Sequence, residues 1–522
     1  MPMNRQKTHL LLLLSSGSFL LYAIGSGQLP LMGPDEPRYS QVAREMLNNR
    51  DFITPTLGGN PWFEKPVLLY WLQAAAYALF GVNEWSARLP SILAAVFTVW
   101  ITAWTVWRFT HREPALIAGL VLATSLFFIG FGHAATFDML LTACVATSLC
   151  CFLLHEMEPR RGWLWAAYAA TGAGVLAKGF VAPIVIGLAM FTYLIAEGKL
   201  KRISQYRPVA GSLLALGVAG VWLVPVTLVH GAQFWDDFFF QHHLMRYTTS
   251  QFHRSQGVFF YVSIFLAGSY PWTTALFLKS ESFSGARPLR RMAWCWFLST
   301  FVFFSLSQSK LPGYILPLMP AFAMLAGLSL YDSPRHPRRL IVLFSALQFL
   351  MVIALFLSAR SFPLAPEPIL AAAILTAVLS AAALFFFSKG RWMQALASTA
   401  LIPVLAALLA IYGVYPATTW DETRNLASAI RPELSHGRKL LLYHVYNFPL
   451  VFYTNAGVEL TREGYFPVMR SYNDLHRYLK RHGETHIVVG NEEMEWMRRE
   501  GRLQIKNILR GPEHSIVLLT LR

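Results

Sequence analysis

Charge is what this sequence has least of. Only 14% of its 522 residues are Asp, Glu, Lys or Arg, against roughly 25% in soluble domains. A soluble globular chain is thereby excluded, and the 55% hydrophobic content, with 16 tryptophans and 38 phenylalanines, reads as a polytopic α-helical membrane protein. Cysteine is scarce as well. Cys144, Cys150, Cys151 and Cys295 all lie inside apolar stretches and have no metal-ligand spacing, which argues against a disulfide framework and a zinc site. Internal repeats and low-complexity tracts are missing, which removes the usual mark of a transporter built from repeated halves. The net charge of +16 would suit nucleic acid only if it clustered on one solvated face; most of it falls in short loops between apolar stretches, so no nucleic-acid partner is expected.

Hydropathy predicts about thirteen spans, near 8–28, 88–108, 114–131, 137–154, 163–178, 180–197, 208–230, 257–278, 291–308, 312–330, 339–358, 367–387 and 392–412. The first apolar run, 10–24, also fits a signal peptide with Ala23 and Gly25 before a cleavage point, but the stretch extends towards Leu31 and is expected to serve as a first span. Alternate loops carry the cations: Arg5 and Lys7, Arg108 and Arg112, Arg160 and Arg161, Lys199 to Arg207, Lys279 to Arg291, Arg335 to Arg339, Lys389 and Arg391. Positive loops face the cytoplasm. The N-terminus is therefore expected inside and the C-terminal tail outside, in the periplasm of a Gram-negative cell.

The expected domains are a membrane domain, 1–412, whose outer loop 29–87 carries the main motif, and a small outer domain, 413–522. In that tail short apolar runs (439–445, 486–489, 515–519) alternate with helix-like stretches such as 473–481, a pattern that suggests an α/β fold. It shows no catalytic motif. A lid or docking role is expected of it rather than a second enzyme.

The stretch 33–71, GPDEPRYSQVAREMLNNRDFITPTLGGNPWFEKPVLLYW, holds the most unusual chemistry. Pro37 suits the first position of a helix, and Tyr39, Val42, Ala43, Met46 and Leu47 recur at helical spacing. Asp35 then sits at a helix start beside Glu36, where the macrodipole favours a carboxylate acting as base or cation partner, with Arg38 three residues on and able to reach it. A second helix is expected from Pro66 to near Gly81, too short to span, with Lys65 at its start as a cationic site beside lipid.

The predicted topology puts further polar residues on that same outer face: Asp138, Lys178, the loop 231–257 with Asp236, Asp237, His242, His243 and Arg246, and Lys310 with Tyr314 in SQSKLPGYILPLMP. Two carboxylates with several cations suit a reaction at an anionic headgroup whose tail stays in lipid. Plainer readings compete. Asp138 and Lys178 equally fit snorkelling side chains or a simple pair. The adjacent His242 and His243 lack helical ligand spacing, and Asp236 and Asp237 read as solvated.

DEPRY, REML and then FEKPVLLYW before a short FG turn resemble the membrane glycosyltransferases of the GT-C type that use polyprenyl-phosphate sugars. That group includes the lipid A aminoarabinose transferases and the bacterial relatives of the protein O-mannosyltransferases. The resemblance extends to the Asp138 loop, LAKGF, and KLPGYILPLMP, and covers most of the chain; Pro37 stands where relatives often have Thr. It implies that Asp35 is the catalytic acidic residue and Asp138 a second one. Arg38, Lys65, Arg246 and Tyr314 would hold the donor phosphate, with Glu36, Lys178 and Lys310 as further site candidates. It implies a lipid-linked donor, an undecaprenyl-phosphate sugar, with lipid A or another envelope component as acceptor, inversion at the sugar, and no required cofactor or metal. A lipid-linked oligosaccharide polymerase or ligase shares this outer-face logic, and a transporter is the more distant rival.

Overall fold

In lipid every backbone N–H and C=O must be satisfied within its own segment, so the long apolar runs of this chain become helices. The structure is a computed structural model that describes residues 5–245, 256–278, 284–332, 337–361, 365–415, 422–434, 439–461, 466–467, 469 and 471–521. Among these, seven helices are long and apolar enough to cross a membrane: Glu84–Phe109, Phe137–Met157, Pro208–Phe240, Pro312–Asp332, Ile341–Arg360, Pro366–Ser388 and Trp392–Val414. An eighth results if Arg112–Thr124 and Leu126–Gly132, which meet at 59°, form one bent span. Leu68–Phe80 and Val181–Ala196 are shorter apolar helices.

The chain divides into two compact units. The first comprises Met1–Ser26, Phe63–Leu69 and Arg88–Gly413; the second comprises Gly27–Trp62, Tyr70–Ala87 and Val414–Arg522. In the first unit burial separates inner from outer helices. The apolar window of Phe137–Met157 is 83% buried and that of Pro312–Asp332 94%, against 11% for Ile341–Arg360 and 17% for Pro208–Phe240. The two buried ones form the unit's interior; the other two keep their apolar side chains outward, as a lipid-facing helix does. The consecutive helices Phe137–Met157 and Arg161–Lys178 are joined by three residues, so the start of one and the end of the other share a level. Gly172 lets Arg161–Lys178 close on Pro208–Trp235: a Cβ there would lie 2.4 Å from the Ala215 carbonyl oxygen.

One expected span is broken in the structure, and another is continuous but changes its winding. Over 257–278, the helix Phe260–Gly268 gives way to a two-turn 3-10 helix Trp272–Phe277, and the span over 312–330 opens with a tight 3-10 stretch, Pro312–Leu318, that runs on into Met319–Asp332. Proline accounts for both, since Pro271, Pro312 and Pro317 bring no N–H to a helix ladder. At the break the Tyr270 carbonyl accepts from the Leu126 N–H at 3.2 Å, and the Trp272 indole N–H donates to the Thr124 hydroxyl at 3.0 Å.

In the second unit a short antiparallel pair, β1 (Thr56–Leu57) and β2 (Asn60–Pro61), turns at Gly58 and Gly59, whose φ values of +61° and +82° a side chain would strain. The tail forms a four-stranded sheet from β3 (Leu440–Leu442), β4 (Thr485–Gly490), β5 (Leu503–Arg510) and β6 (His514–Leu521), in the order β3-β4-β6-β5. Only β3 and β4 run parallel. The helices Tyr472–His482 and Asn491–Glu500 cover it, with Leu475, Leu479, Met494 and Met497 packed among Leu441, Ile487, Val517 and Leu519. Strand β5 adds to the expected runs. Its alternation of Leu503 and Ile505 with Gln504 and Lys506 suits an edge strand and raises no continuous apolar signal.

Candidate functional site

The second unit presents Asp35 on the helix Asp35–Asn49. Pro34 is the N-cap and bonds through no side chain, so Asp35 is the first helical residue and Pro37 the third, a correction to the expected register. Proline is tolerated at both places because the first-turn N–H groups have no intrahelical partner. Asp35 Oδ1 accepts from Arg38 Nη2 at 3.0 Å, and the Arg38 Nε–H donates to the Pro34 carbonyl at 2.8 Å. Exposure differs sharply between the partners. The Asp35 side chain is 35% exposed and that of Arg38 2%, so the carboxylate faces outward with its cation behind it. Glu36 is buried and accepts from the Met32 N–H at 2.8 Å, closing the approach to the helix.

One further carboxylate of this helix does structural work. Glu45, the acid of REML, accepts from the backbone N–H of Gly58 at 2.8 Å and Gly59 at 3.2 Å, the Thr56 hydroxyl at 2.8 Å and the Gln41 amide at 3.1 Å. Four donors offset the desolvation of a buried charge and fix the β1–β2 turn to the helix. The tail is tied into the same unit. Tyr453 donates to Glu84 at 2.8 Å and accepts from the Leu31 N–H at 3.1 Å, while Arg424 pairs with Glu84 at 2.7 Å. Burial works against the Arg424 charge, but the Tyr453 hydroxyl and the Glu84 carboxylate outweigh it and hold the guanidinium above its ordinary pKa.

In the first unit, Asp138 begins the helix Phe137–Met157 and Lys178 ends Arg161–Lys178, and the two side chains form an ion pair, 16% and 13% exposed. The pair is one of the plainer outcomes expected from sequence, yet it has company. The Lys178 ammonium also sits 5.0 Å from the centre of the Tyr314 ring, and the segment bearing Tyr314 is anchored by the Tyr261 hydroxyl donating to the Leu311 carbonyl at 3.1 Å. Gly313 lets that segment approach: a Cβ there would lie 2.6 Å from Asp138 Oδ1. Lys310 does not join this group. Its ammonium donates to the carbonyls of Ser307 at 2.7 Å and Gln256 at 3.1 Å.

Lys65 also differs from its expected setting. The short helix begins at Leu68 rather than at Pro66, so Lys65 lies before it, and its ammonium contacts the neighbouring Glu64 carboxylate at 2.8 Å, both side chains about nine-tenths buried. Phe63, two residues earlier, packs edge-on against His230 and Phe234 with ring centres 4.9 and 5.3 Å apart. Arg246 lies outside the described residues, as do the side chains of His242 and His243; Asp236 is exposed. Sequence reasoning thus located Asp35 with Arg38, and Asp138 with Lys178, but missed Glu64, Glu45 and Gly313. The Glu–Lys adjacency in FEKP and the acid in REML were the available signals. Among the described residues one three-membered group, Glu422, Glu513 and His514, has metal-ligand types within reach of one another. Glu422 there accepts from the backbone N–H groups of Glu513 and His514 at 2.9 and 2.8 Å and closes the β5–β6 turn.

A family model described as dolichyl-phosphate-mannose-protein mannosyltransferase matches residues 64–224. The undecaprenyl phosphate-alpha-4-amino-4-deoxy-L-arabinose arabinosyl transferase of Erwinia tasmaniensis is 28% identical over 464 residues, 84% of this chain and 82% of that one. A second such transferase, from Pseudomonas fluorescens, is 32% identical over 62% of this chain and 56% of its own length. In structure, ArnT from Cupriavidus metallidurans bound to undecaprenyl phosphate matches with a TM-score of 0.82 at 24% identity, over 98% of both chains. The Archaeoglobus fulgidus oligosaccharyltransferase shares the fold more loosely, with a TM-score of 0.51 at 13% identity over 91% of this chain and 69% of its own. By sequence along most of its length and by fold along nearly all of it, the chain is a membrane glycosyltransferase similar to the undecaprenyl-phosphate aminoarabinose transferases.

Proposed function

We propose that this protein moves a sugar, 4-amino-4-deoxy-L-arabinose in the first instance, from undecaprenyl phosphate to lipid A or another envelope acceptor on the outer face of the inner membrane. Sequence likeness to the named arabinosyl transferases across 84% of the chain is the observation that carries this reading. Asp35 acts as base towards an acceptor hydroxyl, or orients an acceptor that is already an anionic phosphate. The acceptor oxygen attacks the anomeric carbon from the face opposite the phosphate, the bond from that carbon to the phosphate oxygen breaks, and the electron pair leaves with undecaprenyl phosphate. The configuration inverts. Lys65, Arg246 and Tyr314 receive the phosphate, and Arg38 adds its charge from behind Asp35. Asp138 serves as the second acidic residue, its carboxylate held by Lys178. Lys310 braces the carbonyls of Ser307 and Gln256, and Glu36 braces the backbone at Met32. Cationic side chains take the part a metal often plays at a leaving phosphate, so the scheme requires none.

The same reading keeps the plan of about thirteen spans, the membrane domain 1–412, the outer domain 413–522, and a cytoplasmic N-terminus with a periplasmic tail. Purified protein is incubated with undecaprenyl-phosphate aminoarabinose and lipid A, and both lipids are followed by mass spectrometry. Loss of the sugar from the donor with matching gain on lipid A is expected. Consumption of neither lipid would refute the assignment, and lipid A and envelope glycans from cells with and without the gene then identify the true acceptor.

A further inference from the structure

Arg38 lies against two aromatic rings that arrive from distant parts of the sequence. Its guanidinium carbon is 5.4 Å from the centre of the Trp62 ring and 5.1 Å from that of Phe448. Trp62 follows strand β2 directly, so the Glu45 carboxylate that fixes the β1–β2 turn also fixes where this indole falls. Phe448 precedes the short helix Pro449–Tyr453 of the tail, and that element is docked on the helix Asp35–Asn49 by independent contacts. Arg44 donates to the Phe452 carbonyl at 2.8 Å and its guanidinium lies 4.0 Å from the Phe452 ring centre; the Gln41 amide donates to Asn455 at 3.2 Å. Arg38, Gln41 and Glu45 are three and four residues apart and share one helix face, while Phe448, Phe452 and Asn455 repeat at the matching spacing on the tail. The geometry points to Trp62 and Phe448 as positioning residues: an aromatic clamp, half of it supplied by the C-terminal tail, that orients the Arg38 guanidinium and through it the Asp35 carboxylate. The inference rests on the catalytic role proposed above for Asp35.

The physical basis is the electrostatics of a buried planar cation. A ring face attracts a guanidinium most strongly where water is excluded, as it is around a side chain 2% exposed. The two rings restrict its tilt, while its in-plane donors at Nε and Nη2 reach Pro34 and Asp35. Loss of a ring removes one restraint on that tilt, and the carboxylate it holds shifts with it. The tail is then part of the catalytic apparatus and more than a cover.

Phe448→Leu keeps apolar bulk and removes the ring, whereas Phe448→Trp keeps the ring and strains the packing. The full chain is purified in each form, and kcat and KM for undecaprenyl-phosphate aminoarabinose are measured per folded protein. The clamp requires Phe448→Leu to lower kcat on the order of 10- to 100-fold, the scale of a misplaced catalytic group, with KM nearly unchanged. Phe448→Trp then retains most of the rate. Equal rates for Phe448→Leu and wild type, or a loss in Phe448→Trp exceeding that in Phe448→Leu, overturn the clamp and leave Phe448 a packing residue. A wild type that does not use the donor instead refutes the proposed function. In that case a thermal-unfolding double-mutant cycle of Arg38→Met with Phe448→Leu still decides the clamp, since a shared contact makes the two effects non-additive and additive shifts overturn it.

Discussion

Adding one methyl group at Gly313 tests the Asp138 group with little collateral change. Gly313 has no positive φ, so alanine meets no backbone strain there and even favours the helical turn it occupies. Space is the whole problem. The new Cβ would stand 2.6 Å from Asp138 Oδ1, 2.7 Å from its Cγ and 2.8 Å from Phe131 Cε1. Relief to ordinary contact needs about 1 Å of movement, and a displacement of that size at a catalytic group costs about 10²-fold in rate. Asp138 cannot yield alone, because the same oxygen is paired with Lys178 and Lys178 in turn faces the Tyr314 ring one residue from the new methyl. Overpacking of this kind also lowers stability by about 1–3 kcal/mol. The assay compares kcat and KM of Gly313→Ala and wild type on the lipid-linked donor, with unfolding temperature recorded for both. A fall of about 100-fold in kcat is expected, with the protein still folded. Normal turnover in a folded Gly313→Ala protein would show that Asp138 tolerates displacement and has no close part in the reaction.

The other predictions concern single residues and topology. Asp35→Asn is expected to cut transfer by roughly 10²- to 10⁴-fold while the protein inserts and folds normally; near-normal turnover would remove Asp35 from the mechanism, and a helix-cap role is no alternative because Pro34 occupies that place. Lys65→Met is expected to lose donor use and to lower the unfolding temperature, since it removes a cation from the buried Glu64 carboxylate. The double variant Glu64→Gln with Lys65→Met should regain stability in thermal unfolding but not donor binding, and recovery of both would make Lys65 purely structural. A reporter fused after Arg522 should be active only outside the cytoplasm, as the loop charges require; cytoplasmic activity would reverse the faces and with them every site assignment. Treatment of the purified protein with a chelator should leave the transfer rate unchanged, and a loss restored by added divalent cation would bring a metal into the mechanism.

Much of this protein was decided by residue order alone. Low charge with long apolar runs dictates lipid-spanning helices, because a helix satisfies its backbone within one continuous run, whereas a barrel strand would alternate apolar with polar residues. The DEPRY stretch likewise determines the Asp35–Arg38 pair, since three residues of helix bring the two side chains to one face whatever surrounds them. The Asp138–Lys178 pair stands at the edge of this legibility. Two antiparallel helices and a three-residue link fix the level of each residue, but the rotation of each helix about its axis, settled by packing such as Gly172 against Ala215, decides that they touch. Other features belong to tertiary structure only. Hydropathy over 257–278 cannot register that proline interrupts the ladder where Thr124 can accept from Trp272. Nor does sequence say that Phe448 reaches Arg38 across 409 intervening positions. Local pattern encodes period and polarity; it carries no information about which distant surface fills the space beside a buried cation, and that is settled only when the chain packs.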